Sequence, residues 1–419
     1  MTIPTCRQKA RTALLVLTCS ALIFGSVQIS RAQVQSCSQT LNAGDNVASA
    51  VSSASSGSTI CLNSGNYGTV TLGSFTKNPP VTVRSVSGQG AALRLRAQNG
   101  ANGVTFDNIT FNGDSTISGS STKNVTIQNS NFGTNQLDIA TNNFNENNIL
   151  IDHNTFGAYN ADACEGRLCI HWGGGPGSVP AGVVVTNNTF GPGGCSDGIQ
   201  IGSYGVVVGP GNVFTGMVQS GCTQHVDAIQ GYGQSHTTVT GNYFINNSVD
   251  LGFYDGGNAE VFTHNVIQHS SSTGSSGQLG TIRNPIFQHN TVKNATISFN
   301  GKPENGPSSN LLMQDNIFIG SSKVSLSQNG TPACTNCTVT HNLFDSSGNA
   351  SGTNNIIGAP TFLGGTSPST WAGYQLATGS LGKNSASDGL DMGTTYYGQG
   401  GISQPPPTPA APKNLIILP

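Results

Sequence analysis

Charged side chains are scarce in this sequence. They make up 8% of the 419 residues, where roughly a quarter is usual. No cluster of Lys and Arg supplies a phosphate-binding footprint, so we expect no nucleic-acid partner. The periodic Ala, Glu, Lys and Leu of helical bundles are also missing, as are the GxxxxGK[ST], HExxH and dinucleotide-binding motifs. The chain has instead 56 glycines and 35% hydrophobic residues, the latter in short Val, Ile and Phe runs. That composition predicts a folded chain with a large core.

The N-terminus has the pattern of a secretory signal. Three basic residues precede an apolar run at 13–24, and small residues lead up to Ala32. This pattern predicts a signal peptide at 1–32 that is cleaved after Ala32, and hence a secreted or periplasmic protein. The apolar run is too short for a membrane anchor, and no later segment is long enough to span a membrane. Cleavage leaves 12 basic and 18 acidic residues, a net charge of −6.

Eight of the ten cysteines lie after the predicted cleavage site. In an exported protein such cysteines can form disulfides. Closeness in sequence favours the pairs Cys37–Cys61, Cys164–Cys169, Cys195–Cys222 and Cys334–Cys337. The last pair also resembles half of a zinc site, but no second CxxC or paired His follows it, so we favour a local disulfide.

An internal repeat dominates the chain. Ten copies share an apolar residue, two mostly polar residues, a fourth position and a final apolar residue, and the final positions lie 21 to 34 residues apart. The copies are FDNITF, IQNSNF, IDHNTF, VTNNTF, GPGNVF, VTGNYF, FTHNVI, FQHNTV, MQDNIF and VTHNLF. Eight of them have Asn at the fourth position, from Asn154 to Asn342. The period and the β-branched runs predict a solenoid with one repeat per turn. The LxxLxL spacing is missing, which argues against a leucine-rich repeat.

Stacked turns explain the recurrent asparagine. Side chains at matching positions of parallel strands lie about 4.8 Å apart, so asparagines can hydrogen-bond one another and the turn backbone. We therefore interpret the asparagine column as structural. The histidines at 153, 264, 289 and 341 directly precede the fourth position and are predicted to be turn residues.

The two ends of the solenoid need caps, because its terminal strands have unpaired edges. Residues 45–53 show a helical apolar pattern and precede a first strand at Thr59–Leu62, which predicts a capping helix. Segments 355–365 and 373–393 are expected to close the other end. We predict one domain at 33–400, followed by a proline-rich disordered tail at 401–419.

The repeats, the opening AGDN…GSTICLNSGNYG and the ending SASDGLDMG resemble secreted bacterial parallel β-helix proteins of the pectate-lyase-like superfamily. The resemblance covers about residues 36–395 and implies an all-β, right-handed parallel β-helix of about 10–13 turns. This superfamily includes lyases, polygalacturonases, epimerases, tailspikes and adhesins. The fold alone therefore does not decide the function.

In the middle of the chain a second strand of each repeat becomes polar. Alignment of these strands predicts that Asp197, Asp227 and Asp250 share one column. The same alignment places His171, Gln200 and Gln230 in a second column and makes Asp255 and Arg283 neighbours. Three carboxylates about 5 Å apart repel one another, so they need a bound cation or raised pKa values.

Two further features fall in the same turns. The longest gaps between repeats, 34 and 30 residues, lead into the strands of His171 and Asp227, and lengthened loops can wall a cleft. Aromatic residues that could stack on sugar rings also cluster there. The predicted substrate-binding residues are His171, Trp172, Gln200, Tyr204, Gln230, Tyr232 and Tyr254.

The favoured function is a lyase that cleaves an acidic, uronate-containing polysaccharide by β-elimination. Asp197, Asp227 and Asp250 would hold Ca²⁺, which takes oxygen ligands. Arg283 or His225 would abstract the C5 proton, with Asp255 as a further catalytic candidate. This arrangement is similar to that of calcium-dependent pectate lyases, which use stacked acidic residues and a basic residue on a nearby turn.

Two alternatives stay open. In a glycoside hydrolase the aspartates would act as acid and base; CSDGIQIG is similar to the NTDGI element of polygalacturonases, and Arg283 in TIRN corresponds to the arginine of their RIK element. Against this, the paired DD is single here, the GHG histidine is replaced near Gly252, and the lysine of RIK is Asn284. The other alternative is a non-catalytic adhesin that binds a cell-surface glycan, although a simple rod would not gather its irregularities in a few turns.

Overall fold

The computed structural model describes residues 36–157, 166–171, 177–272, 276–299, 306–328, 331–332 and 334–395. These residues form an all-β parallel solenoid of about 11 turns, which confirms the predicted fold class. The predicted signal peptide and tail, Cys164 and Trp172 lie outside the described residues. The right-handed sense stays a prediction.

Thirteen parallel strands form a first sheet, called face 1. Its strands are Gln39–Leu41, Thr59–Leu62, Phe75–Ser85, Ala101–Asp107, Lys123–Gln128, Ile149–Asp152, Val183–Thr186, Val207–Val208, Thr238–Thr240, Val261–Thr263, Ile286–Gln288, Leu312–Gln314 and Thr338–Thr340.

A second sheet of 22 strands forms two rows, which begin together in the long strands Gly65–Leu72 and Ala91–Ala97. Face 2 continues with Thr110–Phe111, Asn131–Gly133, Thr155–Phe156, Thr189–Phe190, Val213–Thr215, Tyr243–Ile245, Val266–Gln268, Thr291–Lys293, Ile317–Ile319, Leu343–Phe344 and Ile356–Ile357. Face 3 continues with Ser115–Ser118, Leu137–Ala140, Leu168–His171, Ile199–Gly202, Asp227–Gly231, Val249–Gly252, Gly277–Gln278, Thr296–Ser298 and Lys323–Ser325.

Short elements complete the coil. A four-stranded sheet between face 3 and face 1, called face 4, consists of Gly257–Asn258, Ile282–Arg283, Ser308–Ser309 and Cys334–Thr335. Gly193–Gly194 pairs with Met217–Val218, and Ser327–Gln328 with Thr331–Pro332. The helices are the α-helix Val47–Ser53 and the 3₁₀ turns Ser347–Asn349 and Ala372–Tyr374. Among the described residues, none of the helices has the length and apolar character needed to cross a membrane.

The predicted capping helix and first strand are confirmed. The helix begins after Asn46, whose side chain accepts a hydrogen bond from the backbone of Ser49, a favourable N-cap because it satisfies a free N–H of the first turn. Val47 and Val51 turn their side chains into the core. The strand Thr59–Leu62 follows and is buried throughout.

The asparagine column is a continuous buried ladder. Asn154, Asn188 and Asn212 stack as predicted: Asn154 Nδ2 donates to Asn188 Oδ1, and Asn188 Nδ2 donates to Asn212 Oδ1, each at 3.0 Å. The ladder continues turn by turn through Asn342. The preceding histidines, such as His264 and His289, have φ between 52° and 56°. Asn, His, Asp and Gly are found there because this left-handed conformation disfavours bulky residues.

A parallel ladder of aromatic rings fills the core beneath face 2. The rings lie 4.4 to 4.9 Å apart and nearly parallel, the spacing of the strands that carry them. They belong to Phe111, Phe132, Phe156, Phe190, Phe214 and Phe244. Regular stacking of one residue type explains how turns of unequal length still form one core.

Three predicted disulfides are present, Cys37–Cys61, Cys195–Cys222 and Cys334–Cys337. The pair Cys164–Cys169 was also predicted, but Cys164 lies outside the described residues. Near the other end of the coil, Ser387 donates to Asp315 and Asp388 pairs with His289. The segment around 386–394 therefore folds back against the turns between face 1 and face 2.

Substitution of Asn265 by Ala should destabilise the coil strongly. Its side chain accepts from the backbone and side chain of Asn242 and donates to Val239 and Asn290. Its loss leaves several buried polar groups unpaired, at about 1–3 kcal/mol each. We expect the free energy of unfolding to fall by about 3 kcal/mol or more, measured by denaturant titration. Asn63→Ala, which removes one exposed hydrogen bond, is the control; an equal loss in the two variants would contradict the ladder's role.

Candidate functional site

The polar strands of face 3 bring Asp197 and Asp227 together. The strands pair Ile199 with Ile229 and Gln200 with Gln230, and each aspartate lies two residues before the paired isoleucine. The backbone N–H of Asp227 donates to Oδ1 of Asp197 at 2.7 Å. The predicted alignment of these two aspartates and of the two glutamines is therefore confirmed.

Hydrogen bonds join these four residues and His225 into a ring, which the backbone N–H of Asp227 closes. Gln200 Nε2 donates to Asp197 Oδ2 at 2.8 Å and to Gln230 Oε1 at 2.7 Å. Gln230 Nε2 lies 3.3 Å from His225 Nε2, and His225 Nδ1 lies 3.2 Å from Asp227 Oδ2. The two carboxylates and the imidazole therefore have fixed relative positions.

Asp197, His225 and Asp227 place potential metal ligand atoms within 4.8 Å of one another. Asp255, which is exposed, lies close enough for its charge to act on both His225 and Asp227. Carboxylate oxygens suit Ca²⁺, which takes six to eight oxygen ligands, whereas an imidazole nitrogen suits transition metals. The cluster fits a divalent cation that is held mainly by the carboxylates.

Burial makes the two aspartates difficult to ionise. Both side chains are about 95% buried. Burial first, and the neighbouring charge of Asp227 second, raise the pKa of Asp197 to about 6. Burial also raises the pKa of Asp227, and the hydrogen bond from His225 opposes this effect. Two carboxylates so close are more stable with a positive charge between them.

The imidazole of His225 supplies such a charge. Its side chain is 56% exposed and stands at the edge of the cluster. The hydrogen bond to Asp227 is the largest influence and raises the pKa of His225 to about 9; partial burial opposes it, and the charges of Asp227, Asp197 and Asp255 add to it. The arrangement thus favours positive charge beside the two carboxylates.

The predicted position of Asp250 is wrong by one residue. Face 3 pairs Asp227 with Val249 and Gln230 with Gly252, so Asp250 does not align with Asp227. A one-residue change of register turns a side chain away from the predicted column. Asp250 is fully buried; it accepts from Asn247 and pairs with His269 at 2.7 Å.

Gly252 is a residue of the site that the sequence did not reveal. A Cβ built on it would lie 2.2 Å from Oδ2 of Asp227 and 2.4 Å from its carboxyl carbon. The Asp227 carboxylate therefore rests against the bare backbone of the next turn. Gly252 could be assigned to the site only after the pairing of its strand with that of Gln230 was known.

Arg283 does not lie opposite Asp255 as predicted. It belongs to face 4, where it pairs with Asn258 and Ser309, and it is exposed. The prediction treated this strand as the fifth polar strand of face 3. The glycine-rich segment before it ends face 3 at Gln278, so Arg283 starts the next face.

His171 is displaced by two residues from its predicted column. Face 3 pairs Cys169 with Gln200 and His171 with Gly202. His171 Nδ1 lies 2.9 Å from Asp138 Oδ1, one turn earlier. The side chain therefore stays on the outer side of face 3, beside the site instead of within its ring.

The predicted aromatic residues occupy different places. The ring of Tyr232 lies over Gly202, 2.6 Å from a Cβ built there, and is one of the exposed large side chains. Tyr204 stacks on His236 with ring centres 4.5 Å apart, beyond the end of face 3. Tyr254 is half-buried at the start of the segment after Gly252.

The loop before Asp227 is tied to the preceding turn. Cys222 bonds to Cys195, which lies two residues before Asp197. Met217–Val218 pairs with Gly193–Gly194, and the backbone of Gln219 donates to Ser248. The disulfide and the backbone hydrogen bonds therefore hold this lengthened loop in place, and with it the position of His225 in the cluster.

A further buried acid, Glu260, lies at the corner between face 4 and face 1. It accepts from the backbone of Asn258 and from Gln234, and its Oε2 has no hydrogen-bond partner among the described residues. Burial, the largest influence, raises the pKa of Glu260 from 4.5 to about 8. Burial therefore favours the neutral form of this carboxyl at pH 7.

Glu260 should make the protein less stable as the pH rises. The unfolded chain loses this proton near pH 4.5 and the folded chain near pH 8, so the folded state binds more protons within that window and stability falls across it. Glu260→Gln should remove this fall in the free energy of unfolding, which is on the order of 4 kcal/mol. The measurement is denaturant unfolding at pH 4 and at pH 9. Glu146→Gln, at an exposed position, is the control; an unchanged pH profile in Glu260→Gln would contradict the assignment.

No protein-family model matches the chain, and no curated protein matches its sequence. Its structure is similar to that of the PL6 family alginate lyase AlyGC, with a TM-score of 0.47 and 14% identity over 86% of this chain and 59% of that one. A PL6 polysaccharide lyase from Pseudopedobacter saltans gives 0.45 and 15% over 77% and 91%. The pectate lyase Pel9A gives 0.39 and 15% over 87% and 98%.

The chain thus spans 59% of the length of the alginate lyase. At these identities the similarity concerns the fold, so the function has to be argued from the residues of face 3.

Proposed function

We propose that the protein is an exported lyase that cleaves a uronate-containing polysaccharide by β-elimination at the Asp197–His225–Asp227 cluster. The observation that carries the proposal is the juxtaposition of two buried carboxylates and a half-exposed imidazole, with ligand atoms within 4.8 Å. Export rests on the predicted signal peptide and agrees with the disulfides, which form in oxidising compartments.

The net negative charge of the protein is the reason that binding of a polyanionic substrate needs a cation. The mature chain is acidic, with a predicted net charge of −6, so general electrostatic attraction does not hold a polyanion. A divalent cation on Asp197 and Asp227, for which we propose Ca²⁺, supplies local positive charge for a uronate carboxylate. Neutralising that carboxylate makes the adjacent C5–H more acidic.

The elimination itself needs only a proton acceptor and a leaving group. The base takes the C5 proton, the C4–O bond of the glycosidic linkage breaks, and a double bond forms between C4 and C5. The leaving oxygen takes a proton from solvent and becomes the anomeric hydroxyl at the reducing end of the released chain. No water is added across the bond, in contrast to hydrolysis.

We assign the proton transfer to His225. The ring is anchored through Nδ1 to Asp227 at 3.2 Å and is 56% exposed. A cation on the two carboxylates repels the imidazolium charge and so favours the neutral ring, and in that form His225 accepts the C5 proton. Arg283 is the competing base, but it lies on face 4. Asp255, at the rim of the cluster, is proposed to help bind the cation and not to accept the proton.

Sugar contacts are assigned to the outer side chains around the ring. Gln200 holds Asp197 by a hydrogen bond, and Gln230 links Gln200 to His225. Tyr232, two residues after Gln230, presents an exposed aromatic surface. The remaining proposed contacts are His171, Trp172, Tyr204 and Tyr254.

Two variants separate the candidate bases. His225→Ala should lower the rate of polyuronate cleavage by about 10²–10³-fold, and Arg283→Ala should retain nearly full activity. The assay is the ultraviolet absorbance of the unsaturated uronate product on a panel of polyuronides and neutral glucans, with and without chelator. Loss of activity in Arg283→Ala alone would instead make Arg283 the base. Full activity of the wild type in chelator would contradict the role of the cation, and binding of polyuronide without cleavage would favour the adhesin.

A further inference from the structure

The outer side of face 3 carries one uninterrupted column of side-chain positions along the coil. Strand pairing links each position to the next, turn by turn. The column is Thr71, Arg96, Thr116, Asp138, Cys169, Gln200, Gln230, Gly252, Gln278, Ser298 and Ser325. Asp197 and Asp227 lie beside its middle, next to Gln200 and Gln230.

Positive charge stands near the two ends of this column. Arg96 is four strand steps before Gln200, and its side chain is exposed. Lys323 lies two residues before Ser325, which is four steps after Gln230, and it is also exposed. The chain has only 16 Lys and Arg in total, so two on the outer side of one face are informative.

A second arginine reinforces the first end. Arg94 lies two residues before Arg96 on the same strand, and its Nε donates to the backbone oxygen of Asp114. That hydrogen bond holds its guanidinium near face 3 and adds positive charge beside Arg96. The face is thus acidic at its centre and basic at both ends.

The spacing of the turns matches an extended polymer. Four strand steps correspond to about 19 Å, and each sugar of an extended 1,4-linked chain advances by roughly one strand step. A chain laid along face 3 with one uronate at the carboxylate cluster therefore presents further uronates at Arg96 and at Lys323. Arg forms bidentate hydrogen bonds with carboxylates, and Lys acts as a point charge.

We propose that Arg96 and Lys323 are distal carboxylate-binding subsites for a long polyuronate, each about four sugars from the cluster. This inference rests on the proposed function, since it needs a polyuronate along face 3. It makes the enzyme selective for long chains, because short oligomers at the centre do not reach either end.

The test compares an oligouronate of about ten residues with one of about three. Arg96→Gln and Lys323→Gln should each raise KM for the long oligomer about five-fold, leave its kcat unchanged, and leave both constants for the short oligomer unchanged. Added salt should reduce the difference in KM for the long oligomer between each variant and the wild type, because it screens exposed charges. Arg84→Gln on face 1 and Lys293→Gln on face 2 are the matched controls.

The outcomes separate this inference from the proposed function. Suppose that the wild type cleaves polyuronates and that KM for the long oligomer is the same in wild type, Arg96→Gln and Lys323→Gln. The proposed subsites would then be wrong, and the proposed lyase activity would be unaffected. If the wild type does not cleave polyuronates, the lyase fails, and affinity electrophoresis in the long oligomer tests the subsites alone. Weaker retardation of the two variants than of the controls supports them, and equal retardation overturns them.

Discussion

Asp227→Asn is expected to lower the rate of polyuronate cleavage about 10³-fold and to weaken cation binding at the same time. The Asp227 carboxylate anchors His225 at 3.2 Å, lies beside Asp197 and is buried, so a neutral amide removes one ligand and the partner of the imidazole together. The rate is read from product absorbance and cation binding from calorimetry. The amide is nearly the same size, so the fold should be retained.

Asp107→Asn is the matched control, since Asp107 accepts hydrogen bonds from Gln128 and Asn129 at a distance from the cluster on face 1. It should keep the activity and the cation affinity of the wild type. Undiminished cleavage in Asp227→Asn would remove the cluster from the reaction. Lost cleavage with unchanged cation binding would place the cation elsewhere.

Gly252→Ala is expected to lower cleavage about 10²-fold without unfolding the coil. The new methyl group would stand 2.2 Å from Asp227 Oδ2, so the carboxylate has to move, and a displacement of about 1 Å in a reacting group has an effect of this size. Circular dichroism should be unchanged while the rate falls.

Gly348→Ala provides the comparison, because a Cβ there meets only Ser346 Oγ, at 3.7 Å. It should behave as wild type in both measurements. If Gly252→Ala cleaves at the wild-type rate, the position of the Asp227 carboxylate does not matter for the reaction, and the proposed role of the cluster is wrong.

The repeat was sufficient to predict the fold because each of its positions has one physical task. The fourth-position asparagines form the ladder, the residues before them adopt the left-handed turn, and the final apolar residues fill the core. The half of the site at Asp197 and Asp227 followed from DGIQ and DAIQ, which preserve the spacing from carboxylate to glutamine in consecutive turns.

The rest of the site depends on register, which the sequence specifies less well. The strands pair Asp227 with Val249, so the alignment that placed Asp250 beside Asp227 was one residue out. The longest gaps between repeats, 34 and 30 residues, lead into the strands of His171 and Asp227, and loops of unequal length leave the number of residues between strands undetermined. His171 was misaligned by two residues in this way. Arg283 was misplaced by a whole face, because face 3 ends at Gln278 and the chain then enters face 4.

The central claim is that the cluster on face 3 carries out elimination on a uronate polymer, and digestion in water enriched in oxygen-18 tests it most directly. Elimination adds no water across the bond, so mass spectrometry of the products should find an unsaturated uronate at the new non-reducing end. No oxygen-18 should appear beyond the exchange seen with undigested oligomers. Saturated products that gain one oxygen-18 per cleavage would contradict the account and identify a hydrolase that uses the two aspartates as acid and base.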